Sequence, residues 1–101
     1  MDTRDAAPKI TRKLEDVIAI EGNAARFECE VTALSEPLIE WYKNKEQLII
    51  GIKYKMLYED GTFTLVVNNV DIDDVGQYVC RATNSYGHAS TSADLEIELL
   101  G

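Results

Sequence analysis

Asp74-Val75-Gly76-Gln77-Tyr78-Val79-Cys80 is the stretch on which the fold turns. It begins in a polar loop, residues 71–76, and runs into an alternating segment, residues 77–83. In that segment Tyr78, Cys80 and Ala82 share one face. Strict alternation is the mark of a strand with one side buried. Earlier in the chain the same pattern recurs twice around chemically distinctive residues. Residues 24–32 set Ala25, Phe27, Cys29 and Val31 against Arg26, Glu28 and Glu30. Residues 38–44 put Ile39 and Trp41 on one face. Cys29 precedes Trp41 by 12 residues and Cys80 by 51.

Outward from these three segments the period stays at two. Residues 8–14 read as an edge strand, opened by Pro8 where a missing N–H does no harm. Residues 16–20 form a second short strand, closed by the turn Glu21-Gly22-Asn23. Residues 46–50 read as a short strand ending at Gly51. In residues 53–58, Tyr54, Met56 and Tyr58 alternate with Lys53, Lys55 and Leu57. Asp60-Gly61 is a hairpin signal, because Gly accepts positive φ without a steric cost. Residues 62–68 follow, with Leu65 and Val67 inward. Asn84-Ser85-Tyr86-Gly87 is a turn, and residues 89–99 form the last strand, with Ala93, Leu95, Ile97 and Leu99 inward. Helical periodicity is absent throughout. Short strands with turn signals every 8–12 residues predict an antiparallel β-sandwich.

The chain has 101 residues, 46% of them hydrophobic and 28% charged, which fits one globular domain. Residues 1–7 read as a linker and residues 8–100 as the domain. The 18 acidic and 10 basic side chains give a net charge of −8. Nucleic acid and anionic lipid both require a basic footprint, so neither is an expected partner. A continuous apolar run long enough to span a bilayer does not occur.

The motifs Cys29…Trp41…Cys80 and D-x-G-x-Y-x-C (Asp74 to Cys80) resemble the immunoglobulin fold. Tyr78 stands two residues before the second Cys, where a tyrosine corner belongs, its hydroxyl bonding a backbone group to pin the preceding loop. Glu21-Gly22-Asn23-Ala24-Ala25-Arg26-Phe27-Glu28-Cys29 resembles the second-strand entry of I-set domains. Ala82-Thr83-Asn84-Ser85-Tyr86-Gly87 followed by Ala93-Asp94-Leu95 resembles their last hairpin. The span from Trp41 to Lys53 is too short for the extra strand of a variable domain.

The resemblance is closest to the I-set domains of giant muscle proteins of the titin, twitchin and telokin type. It implies an all-β, immunoglobulin-like antiparallel β-sandwich of two Greek-key sheets. It implies a structural core of Cys29, Trp41, Leu65, Tyr78 and Cys80. It implies a tandem array in a sarcomeric or cytoskeletal protein of the cytoplasm, carrying tension and docking partners. Those partners would be neighbouring immunoglobulin or fibronectin-type domains and other sarcomeric or cytoskeletal proteins, the isolated domain being a monomer. The second short strand would run parallel to the last, placing Val17, Ile18, Ala19 and Ile20 against Leu95 and Ile97 as a mechanical patch. The Asp of D-x-G-x-Y-x-C pairs with a base near the fourth strand in related domains; Lys53 and Lys55 are available here, and no Arg stands there.

Other readings of the same residues stay open at this level. Cys29 and Cys80 fit either an inter-sheet disulfide, as in a secreted domain, or two buried thiols, as in reducing cytosol. An extracellular domain of an adhesion molecule or receptor shares this fold. The absence of Asn-x-Ser/Thr sequons and of a signal peptide tilts the expectation to the cytoplasm. Asp71, Asp73, Asp74 and Gly76 imitate the start of a calcium loop, but Val75 and Ala82 stand where such a loop needs oxygen ligands, so a solvated turn is expected. His88, the single histidine, shares no motif with a nucleophile, and phosphate-cradling glycine loops are missing. An enzyme is therefore not expected in this chain, nor is any cofactor, though a longer parent has room for a kinase.

Overall fold

The computed structural model describes residues 6–99. The strands, in chain order, are β1 (Lys9–Arg12), β2 (Val17–Ile20), β3 (Ala25–Thr32), β4 (Leu38–Lys43), β5 (Glu46–Gln47), β6 (Tyr54–Glu59), β7 (Thr62–Val67), β8 (Gly76–Asn84) and β9 (Gly87–Glu98). A 3₁₀ turn, Ile72–Asp74, leads into β8. Two sheets form, ordered β1-β3-β7-β6 and β2-β9-β8-β4-β5. The molecule is elongated, with extents of 57 × 23 × 22 Å.

Local backbone chemistry sets the hairpins. Asp60 (φ 48°) and Gly61 (φ 82°) both lie in the left-handed region, and Glu59 faces Thr62 across them. Two central residues at positive φ make a type I′ turn, whose twist matches the flanking strands. Asn44 (φ 48°) and Lys45 (φ 74°) repeat that arrangement between β4 and β5. Every strand pair is antiparallel except β2 with β9. The chain reaches that parallel position by leaving the first sheet after β1 and entering the second at β2.

Alternation decides what is buried. Ala25, Phe27, Cys29 and Val31 of β3 point into the core, opposite Trp41, Tyr78, Cys80, Ala82, Ala93 and Leu95 of the second sheet. Leu65 and Val67 complete the layer from β7. Each such side chain contributes roughly 1.5–3 kcal/mol by leaving water.

Three expectations need correction. The short strand at 46–50 ends at Gln47: Leu48 N–H still bonds the Trp41 carbonyl at 2.8 Å, but the chain must then cross to the other sheet, leaving Ile49, Ile50 and Ile52 exposed. Edge strand β6 alternates as expected, and of its residues only the first, Tyr54, packs against the core. Leu99 lies past the end of β9 and is 63% exposed rather than inward. The loop at 71–76 contains the 3₁₀ turn, closed by a capping box in which Asp71 and Asp74 serve each other's backbone. The linker expectation for residues 1–5, and residue 100 of the domain, lie outside the described residues.

Candidate functional site

Two places in the sandwich unite the residues singled out by the sequence. The first is the lock around Tyr78. Its hydroxyl donates to the Asp74 carbonyl at 2.6 Å within the core, which is the geometry of a tyrosine corner. Its ring stacks on Phe27 with centroids 4.9 Å apart. Asp74, only 4% exposed, accepts through Oδ2 from Asp71 N–H at 2.9 Å and from Lys53 Nζ at 2.8 Å. Lys53 rather than Lys55 is thus the partner, and its ammonium also donates to the Asn68 and Asn69 carbonyls. One carboxylate thereby ties the 3₁₀ turn to the chain leading into β6 in the opposite sheet.

Gly76 explains the middle of the motif. Its φ is +156°, and an added Cβ would meet the Asn44 amide at 2.7 Å. Asn44 Oδ1 needs that space to accept from Gln77 N–H. Burial raises the Tyr78 hydroxyl far above its ordinary pKa, with Tyr54 and the Asp74 carboxylate pushing the same way. Cys29 and Cys80 are fully buried free thiols. The Cys80 thiol is pushed up by its hydrogen bond to Cys29 and then by burial, while the same bond lowers Cys29. Trp41 packs beside them at 2% exposure, facing Cys80 in register. Leu65 lies at 0% exposure.

The second place is the parallel seam between β2 and β9. Val17 faces Leu95, Ile18 faces Glu96, Ala19 faces Ile97 and Ile20 faces Glu98. Ala19 and Leu95 are buried, Val17 and Ile97 partly so, while Ile18 and Ile20 look outward at 68% and 41% exposure. Three bonds outside the ladder extend the seam. Glu21 N–H reaches the Glu98 carbonyl at 2.9 Å, Asp94 N–H reaches Asp16 Oδ1 at 2.8 Å, and Leu14 N–H reaches Thr91 Oγ1 at 3.1 Å. Asp16 and Thr91 had not been singled out by sequence. An Asp immediately before a strand is a signal for the first, as its short side chain readily takes backbone N–H groups; nothing local marks the second.

Among the described residues, no three His, Cys, Asp or Glu side chains are grouped to hold a metal, and no helix is long and apolar enough to cross a membrane. His88 is exposed at the start of β9.

Two sheets, a tryptophan against a cysteine pair and a tyrosine corner define an immunoglobulin-like β-sandwich. The family model "Immunoglobulin I-set domain" matches residues 8–97, and the chain belongs to that family. It is 40% identical over 94 residues to the CAVP-target protein of Branchiostoma lanceolatum, covering 91% of this chain and 38% of that one. It is 38% identical over 96 residues to a titin homolog of Caenorhabditis elegans, covering 93% of this chain and a share of the relative that rounds to 0%. The solved structure of titin M4 superposes with a TM-score of 0.89 at 30% identity, covering 93% of this chain and 98% of that one. The chain thus spans well under half the length of these curated relatives.

Proposed function

We propose that this chain is one domain of a tandem array in a titin-like sarcomeric or cytoskeletal protein of the cytoplasm, where it bears tension along the array and docks partner proteins. The parallel β2–β9 seam carries this reading. A pull between the chain's two ends enters near β2 and leaves through β9. Because the two strands are parallel, the ladder bonds are loaded together in shear rather than opened one at a time. Resistance to force is a rate, set by what breaks before the transition state, so it follows the seam rather than the core. The likeness to titin domains along nearly the whole chain supports the array. The name of the amphioxus relative, a target of another protein, supports docking.

Single-molecule stretching tests the tension half. Glu21 N–H points at β9, so by alternation the N–H of Val17 does too. Val17→Pro removes that donor at a half-buried position with little change in volume. Leu65→Ala instead cuts a cavity in the core and costs about 2–5 kcal/mol of equilibrium stability. Val17→Pro lowers the unfolding force more than Leu65→Ala, although it costs less at equilibrium. An equal or smaller loss of force in Val17→Pro overturns the tension-bearing role.

A further inference from the structure

The outer face of the five-stranded sheet carries a shallow cup that tension does not use. Tyr42 of β4, Lys45 of the β4–β5 turn, Val79 and Arg81 of β8, and His88 and Ser90 of β9 line it. Register brings them together: Tyr42 faces Val79, and Arg81 faces Ser90.

In a chain of net charge −8, four of the nine cations among the described residues have a partner close by. Arg12 pairs with Glu28 and Glu30, Arg26 with Glu28, and Lys53 with Asp74. Lys43 Nζ donates to the Asp73 carbonyl. The two cations of the cup, like Lys9, Lys13 and Lys55, stand outside these pairs, but they alone lie together in a concave surface. Arg81 stands opposite Glu40, yet Glu40 Oε2 accepts instead from Gln47 Nε2 at 3.0 Å. Arg81 Nε is left buried with no acceptor among the described residues. A buried donor without an acceptor is costly, and the guanidinium fork matches a carboxylate in shape as well as charge. Lys45 is held at φ 74°, in the second central position of a type I′ turn that strongly favours glycine. Its side chain stands at the rim of the cup and enters none of the ion pairs among the described residues. Backbone strain retained with no packing gain points to use of the side chain.

We propose that this cup docks an acidic segment of a partner protein, one Asp or Glu carboxylate seating on Arg81. Lys45 flanks the carboxylate, and the Tyr42 and Ser90 hydroxyls supply further donors. Charge complementarity selects this occupant: the lining includes Lys45 and Arg81 and no carboxylate, so a basic segment would be drawn to the acidic surface outside the cup rather than into it. The proposal rests on the docking half of the function above; the stretching experiment addresses the tension half, so either can fail while the other stands.

The test titrates the intact chain with a deca-glutamate peptide, followed by amide NMR and fluorescence anisotropy. Shifts concentrate at Tyr42, Lys45, Arg81, His88 and Ser90. Arg81→Gln weakens binding about tenfold or more. Lys45→Gly raises the melting midpoint by releasing strain yet weakens binding, which separates the site from the fold. Lys55→Gln, on β6 of the other sheet, changes affinity less than about twofold. Binding by Arg81→Gln and Lys45→Gly at wild-type strength overturns the proposal. So does equal weakening by Lys55→Gln, or the absence of shifts in the cup at millimolar peptide.

Discussion

Tyr78 ties one hydroxyl to one backbone carbonyl, and that bond can be isolated by a single-atom change. Tyr78→Phe leaves the Asp74 carbonyl without its donor and costs about 1–3 kcal/mol in denaturant titration. The same hydroxyl predicts the response to alkali. Burial holds its pKa above the ordinary value of 10.0, so the folded state keeps the proton more tightly than the unfolded one. Its contribution is intact below about pH 10 and is lost as pH rises beyond, at up to about 1.4 kcal/mol per pH unit. Tyr78→Phe unfolds on a shallower alkaline slope than the wild type, with Tyr54, also raised by burial, retaining part of the decline. Lys53 supplies the companion test. Lys53→Met strands the Asp74 carboxylate at 6% side-chain exposure. Truncating one partner of a buried pair costs about 3–5 kcal/mol, but the ammonium is 39% exposed, so a loss of about 1–3 kcal/mol is expected in the same titration.

Strands announced themselves where chemistry and period agreed. Phe27 and Cys29 against Glu28 and Glu30 left β3 no other reading, and Asp60-Gly61 fixed the β6–β7 hairpin through backbone conformation alone. Residues 48–50 misled because Leu48-Ile49-Ile50 looks like a strand while the chain there must travel between sheets. Alternation in β6 named no inner face, and its edge position leaves only Tyr54 against the core. Parallel pairing of β2 with β9 left no trace in periodicity and came with the motif resemblance. The Arg81 cup was illegible for another reason: its members read singly as ordinary surface, and only the register of three strands distant in sequence gathers them. Asp16, also missed, gives the seam its own prediction. Asp16→Ala removes the acceptor of Asp94 N–H and costs about 0.5–1.5 kcal/mol at equilibrium. Because that bond lies in the seam proposed to bear tension, stretching is expected to show a drop in unfolding force out of proportion to this loss.

At the scale of the whole molecule, the sheet switch after β1 and the parallel seam arrange a rod whose long axis is 57 Å. That length has a consequence for a filament made of such rods. The roughly ninety residues folded into one of them reach about 300 Å when fully drawn out, at ~3.3–3.6 Å per residue. Rupture of a single domain therefore releases about 250 Å of slack by the same arithmetic. Over that distance the load on every other domain in series collapses before a second one can yield. In the array proposed above, a failure that would break a rigid strut would become a shock absorber, and survival would depend on the weakest seam giving way first.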